Sequence, residues 1–193
     1  MVGEFLRKLT HVGAISIPII YMLAGRGVIL TLVSGAFLIS LLVDLVRFFG
    51  REKNKEIIWR LFGIIIRPHE KDNFTGATYI LLSSILAILI FDKPVAVLAI
   101  AFIVIGDTAG AIVGRMWGKV WFRNKTIEGS ISFFAACCII ALPVTGIPLW
   151  VRFTGAFAAA IVEALTVRID DNLTVPLISG ALMQLIVNQY VGF

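Results

Sequence analysis

Charge is scarce in this chain of 193 residues: only 15% are Asp, Glu, Lys or Arg, against roughly 25% in an ordinary soluble domain. Apolar residues make up 59%, and mean hydropathy is +0.98. That balance excludes a cytosolic globule and a disordered chain. Cysteine is almost absent. Cys137 and Cys138 are the only two, adjacent in an apolar run, so there is no disulfide framework and no C-x-x-C pair. Histidine also occurs only twice, and no His/Cys cluster offers a zinc site. Acidic residues number 12 against 17 basic, for a net charge of +5. In a chain this apolar, loop Lys and Arg set membrane orientation and face anionic headgroups, so no nucleic-acid partner is expected. The start MVGEFLRKLTHVG is charged and lacks a small-residue cleavage site after an apolar run; it reads as mature chain.

What is abundant is apolar runs. They fall at 12–24, 28–49, 74–91, 95–113, 131–142, 151–167 and 173–191. About 20 residues suffice to cross a bilayer as a helix. The pattern predicts an all-α, polytopic transmembrane bundle of about seven spans, a single domain over 1–193. Between the second and third runs, IIWRLFGIII is apolar but too short to cross. It reads as an interfacial helix with Trp59 and Arg60 near the headgroups. With this span order, 14 of the 17 basic residues fall on one side, and only Arg26, Lys93 and Arg152 on the other. The asymmetry predicts a cytoplasmic N-terminus and a cytoplasmic polar face.

Acids near membrane-spanning helices cost several kcal/mol and usually face a bundle interior or a wet cavity. Asp44, Asp107 and Glu163 fall at the cytoplasmic ends of runs two, four and six, while Asp170 and Asp171 precede run seven. Each could instead pair with a nearby cation or cap a helix: Asp44 with Arg47 at i, i+3, and Asp171 or Asn172 as an N-cap. Their convergence at one depth favours a metal or phosphate site. Hard carboxylate oxygens of this kind suit Mg²⁺.

Segment 105–130 is the richest. Gly106, Gly110, Gly114 and Gly118 recur every four residues, a stripe that suits helix packing of the G-x-x-x-G type. Arg115, Lys119, Arg123 and Lys125 follow, then Thr126, Glu128, Gly129 and Ser130. Lysine offers phosphate a point charge, Thr and Ser offer hydroxyls, and glycine permits close backbone approach. Ser130 could equally be the N-cap of run five. Neither a P-loop nor G-x-G-x-x-G is present, so any nucleotide site is non-standard. In RKLTH, Arg7 and His11 share a helical face beside Lys8.

Taken in order, RKLTH at 7–11, the pair Asp44/Arg47, GDTAGAIVGRMWGK at 106–119, NKTIEGS at 124–130, Glu163 and DDNLTVPL at 170–177 make the chain similar to the polyprenol kinase family. That family comprises dolichol kinases, phytol kinases and CTP-dependent diacylglycerol kinases. The resemblance implies Mg²⁺-assisted transfer of the γ-phosphate of CTP to the hydroxyl of a membrane lipid, with an isoprenoid alcohol as the expected acceptor. It assigns Gly110, Gly114, Arg115, Gly118, Lys119, Lys125, Thr126, Glu128 and Gly129 to the nucleotide. Asp107 with Asp170 or Asp171 would hold Mg²⁺, and Asp44 or Glu163 would take the hydroxyl proton. The chain departs from the family pattern in having Gly110 where alanine is usual, Asn124 before Lys125, a short spacer after Gly118, and Asp44 where glutamate is common. The expected partners are CTP, a lipid alcohol and the bilayer, and a homodimer is compatible with this reading.

Two enzyme readings compete. A CDP-lipid synthase would use the same nucleotide at the same surface, but the long basic signature of phosphatidate cytidylyltransferases is missing. Diacylglycerol is the alternative acceptor for a kinase. A small transporter would need polar groups along a through-path and an inverted repeat, neither of which the sequence offers.

Overall fold

The computed structural model describes residues 13–51, 73–122, 125–166 and 170–191. Among these are seven α-helices: α1 (Ser16–Leu23), α2 (Arg26–Phe49), α3 (Gly76–Ile90), α4 (Lys93–Trp117), α5 (Ile127–Ala141), α6 (Leu149–Leu165) and α7 (Asp171–Ile186). A π-helical turn, Val187–Val191, extends α7. The class is all-α, as expected, with one addition. Between α4 and α5 lies a two-stranded antiparallel hairpin, β1 (Trp121–Phe122) and β2 (Lys125–Thr126), which pairs Trp121 with Thr126 and Phe122 with Lys125. Two helices, α2 and α4, are long and apolar enough to cross a membrane; α3 and α5 are shorter apolar helices. The expected interfacial helix and the RKLTH cluster (Arg7, Lys8 and His11) lie outside the described residues.

Helix α4 is the axis of the bundle. Every residue from Val95 to Val104 is buried, as expected of a helix that is apolar all round. It packs on α5 along its glycine stripe, and also meets α7, α1, α3 and α6. Helix α6 presents Gly155, Ala156, Ala159 and Ala160 inward, and a Cβ at Gly155 would collide with Met183 of α7. By contrast, α2 exposes Leu38, Ile39 and Leu42 along its outer side.

Helix ends follow from local chemistry, and two expected caps move. Thr126 caps α5 by accepting from Gly129 N at 3.2 Å, so the helix starts four residues before the expected Ser130-capped start at 131. Asp170 caps α7 by accepting from Asn172 N at 2.9 Å, ahead of both candidate caps, Asp171 and Asn172. Within α7, Pro176 has no N–H to give the carbonyl of Asn172, four residues back. Ser83 of α3 supplies the missing donor, Oγ to carbonyl, at 2.7 Å.

The three basic residues of the sparse side all serve helix C-termini, where carbonyls lack partners and the dipole favours cations. Arg152 Nη1 donates to the carbonyls of Ala141 (2.7 Å), Leu142 (3.0 Å) and Val144 (2.6 Å), closing α5. Arg26 donates to the carbonyl of Leu89 at the end of α3. Lys93 Nζ donates to the carbonyl of Met22 at the end of α1, 3.1 Å away.

Candidate active site

At the other end of the bundle, the C-terminal ends of α4 and α6 meet the N-terminal ends of α5 and α7. Strand β2 carries Lys125 into this junction. Its ammonium donates to Glu163 Oε1 on α6 and to Asp171 Oδ2 on α7, the latter at 2.9 Å. The second oxygen of Glu163 accepts from Ser130 Oγ on α5 at 3.3 Å. Asp107 on α4 lies within electrostatic reach of both Lys125 and Glu163. Burial works against the Lys125 ammonium, but the carboxylates of Asp171, Glu163 and Asp107, with the Glu163 hydrogen bond, outweigh it and raise its pKa above the ordinary 10.5.

Around this centre the glycine stripe is filled by α5. A Cβ at Gly114 would lie 2.7 Å from Thr126 Oγ1, and one at Gly129 would lie 2.9 Å from the carbonyl of Gly110. Helix packing, one of the two readings of the stripe, is therefore what the backbone makes of it. Close approach of α4 and α5 is what lets Thr126 sink into the seam, and Lys125 is its neighbour. Glu128 accepts from Val120 N at 3.3 Å, tying the start of the hairpin to the first turn of α5. Arg115 and Lys119 stand exposed beside it, with Gly118 between them half-buried.

Asp44 and Arg47 form their own cluster at the α2–α3 corner. Asp44 Oδ2 accepts from Thr75 N (3.0 Å), Thr75 Oγ1 (3.2 Å) and Thr78 Oγ1 (2.7 Å). Its Oδ1 lies 3.0 Å from Arg47 Nη2, an ion pair without hydrogen-bond alignment. Arg47 in turn donates to the carbonyl of Asn73. A buried carboxylate at the N-cap of α3, accepting from Thr75 N, is the arrangement the helix dipole favours. Asn172, also buried, donates its Nδ2 to Asp170 Oδ1 at 2.7 Å. Ser130 as partner of Glu163, and the hairpin that delivers Lys125, were not read from the sequence. The close pairing of hydroxyl and lysine in NKTIEGS is the only signal for them.

Among the described residues, no three His, Cys, Asp or Glu form a ready metal cage. Magnesium usually takes one or two carboxylates and completes its shell with water and substrate phosphates. Asp107 and Asp171 are the hard oxygen groups of that kind at this junction and match Mg²⁺ in donor type, with Asp171 Oδ2 already accepting from Lys125. Asp170 Oδ1 is already engaged by Asn172.

The fold and this junction define a helical-bundle protein with a cation held by carboxylates where four helix ends meet. No family model matches the chain, and no solved structure matches it. Curated relatives do. CTP-dependent diacylglycerol kinase 1 of Schizosaccharomyces pombe is 30% identical over 166 residues, covering 74% of this chain and 74% of the relative. An uncharacterized protein of Rickettsia prowazekii is 27% identical over 184 residues, covering 89% of this chain and 88% of the relative. Probable phytol kinase 1, chloroplastic, of Glycine max is 26% identical over 129 residues, covering 55% of this chain and 42% of the relative. The chain belongs to the polyprenol kinase-like family of CTP-dependent lipid kinases.

Proposed function

We propose that this protein is a multi-pass membrane kinase, of about seven spans with a cytoplasmic N-terminus, that transfers the γ-phosphate of CTP to the hydroxyl of a membrane lipid. One observation carries the reading: Lys125 is held by Glu163 and Asp171 where four helix ends converge. Phosphoryl transfer depends chiefly on positioning and on neutralising charge around the phosphates. Lys125 and Arg115 provide the cations. Glu163 and Asp171 fix the lysine, and Ser130 fixes Glu163. Asp107 and Asp171 would hold Mg²⁺, which when bound neutralises the phosphates and orients the terminal one. Asp44 is fully buried, with its Oδ2 holding Thr75 and Thr78 at the start of α3, so in this proposal it anchors α3. Glu163 is then the carboxylate left to receive the hydroxyl proton.

The acceptor is a lipid hydroxyl at headgroup level. Similarity to the fission-yeast diacylglycerol kinase supports diacylglycerol; similarity to the soybean phytol kinase supports an isoprenoid alcohol. The test is incubation of the purified protein with Mg²⁺, γ-labelled or base-labelled CTP, and a panel of diacylglycerol, phytol, geranylgeraniol and polyprenols. We expect γ-label in the lipid and release of CDP. Release of pyrophosphate, with the base label carried into the lipid, would instead establish a CDP-lipid synthase.

A further inference from the structure

The hairpin beside the active junction is unusually apolar for a polar connection. Trp117 is 58% exposed, Trp121 68% and Phe122 46%, with Val120 exposed between them. This patch continues the outward side of α5, where Ile127 and Ile131 are exposed, so it crowns a surface already suited to hydrocarbon. Lys119 is exposed at the same level. Indole rings and a cation together match the headgroup boundary: the rings take the apolar side of the interface and the cation meets lipid phosphates.

We propose that this hairpin is a wedge seated in the anionic headgroup layer of the bilayer and that it fixes the depth of Lys125. Register gives the link. Phe122 is the cross-strand partner of half-buried Lys125, and Trp121 that of buried Thr126, so each of these residues has an exposed aromatic directly beside it across the strands. A hairpin anchored by its aromatic strand holds its lysine strand at the level where a lipid hydroxyl emerges. This inference rests on the membrane reading above and adds the contact and the lipid charge.

The test uses the full chain with Trp59, Trp117 and Trp150 replaced by phenylalanine, leaving Trp121 as the sole indole, reconstituted in phosphatidylcholine vesicles with or without phosphatidylglycerol. A second protein moves the indole one place, W121F with F122W, in case the first folds poorly. Flotation with the vesicles tests the membrane reading by itself. In protein that floats, we expect emission shifted to the blue and quenching by lipids brominated just below the headgroup, both stronger with phosphatidylglycerol. Water-like emission quenched by acrylamide would overturn the wedge while leaving the membrane reading intact. Blue emission insensitive to both quenchers would also overturn it, by showing that protein, such as a second copy, covers the patch. Equal quenching with and without phosphatidylglycerol would overturn the anionic specificity.

Discussion

Lys125 donates to two carboxylates from different helices, so removing it leaves Glu163 and Asp171 facing each other across a gap. Unpaired buried charge is costly, and because the lysine side chain is 28% exposed we expect K125M to lose on the order of 2 kcal/mol of stability by thermal or denaturant unfolding. Turnover with CTP should fall at least about tenfold in K125A, a loss of about 1.4 kcal/mol in transition-state stabilisation. The pH dependence has a definite sign. Partners raise the folded-state pKa of Lys125 above 10.5, so its contribution to stability is complete below that value and fades only as pH rises through the higher folded value. The stability gap between wild type and K125M should therefore not shrink as pH rises from about 6 to about 9. A gap that closes with rising pH in that window would show that the ammonium is not held as described. Glu163 offers a separate check. E163Q keeps an acceptor for Ser130 and loses the charge opposite Lys125, so it should lower kcat far more than it raises the KM for CTP.

Among the elements, the α4–α5 seam and the capped helix ends carry most of the information. G114A places a methyl 2.7 Å from Thr126 Oγ1, and overpacking of this kind costs about 1–3 kcal/mol. We expect a lower unfolding midpoint together with weakened catalysis, because Thr126 neighbours Lys125. R152M should differ: it strips three donations from the end of α5, at about 2 kcal/mol, yet lies at the opposite end of the bundle. Its unfolding midpoint should drop while kcat, measured below that midpoint, stays near the wild-type value. These elements were partly legible beforehand. Seven apolar runs gave seven helices, because hydropathy is a property summed over many residues and survives local error. Caps were legible only to within a few residues. Thr126 and Ser130 are both competent N-caps, and the choice fell to the one whose hydroxyl fits the groove left by Gly114 and Gly118. That selection is tertiary, so the segment alone does not contain it. The same holds for the acids. Spacing along the runs predicts a shared depth for them, but which of them share a partner depends on helix rotation and neighbour order. Asp44 therefore joined α3, and Glu163 joined Lys125.

At the scale of the whole molecule, the two ends of the bundle differ in kind. One end carries Arg26, Lys93 and Arg152 folded back onto helix carbonyls; the other carries the carboxylate junction. The proposed orientation puts the junction in the cytoplasm. Single cysteines at Gly50 and Phe193, in a protein otherwise free of cysteine, should react with an impermeant thiol reagent from opposite sides; reaction from one side would overturn the proposed seven-span arrangement. The bond from Ser83 to Asn172 bears on how such a molecule can move. A slide of α7 along its axis by one residue is a shift of about 1.5 Å, enough to part that hydroxyl from a carbonyl that Pro176 leaves without a helical partner. Helix α7 is thus indexed along its length against α3, while Asp171 bonded to Lys125 and Gln184 bonded to Asp92 fix its rotation at either end.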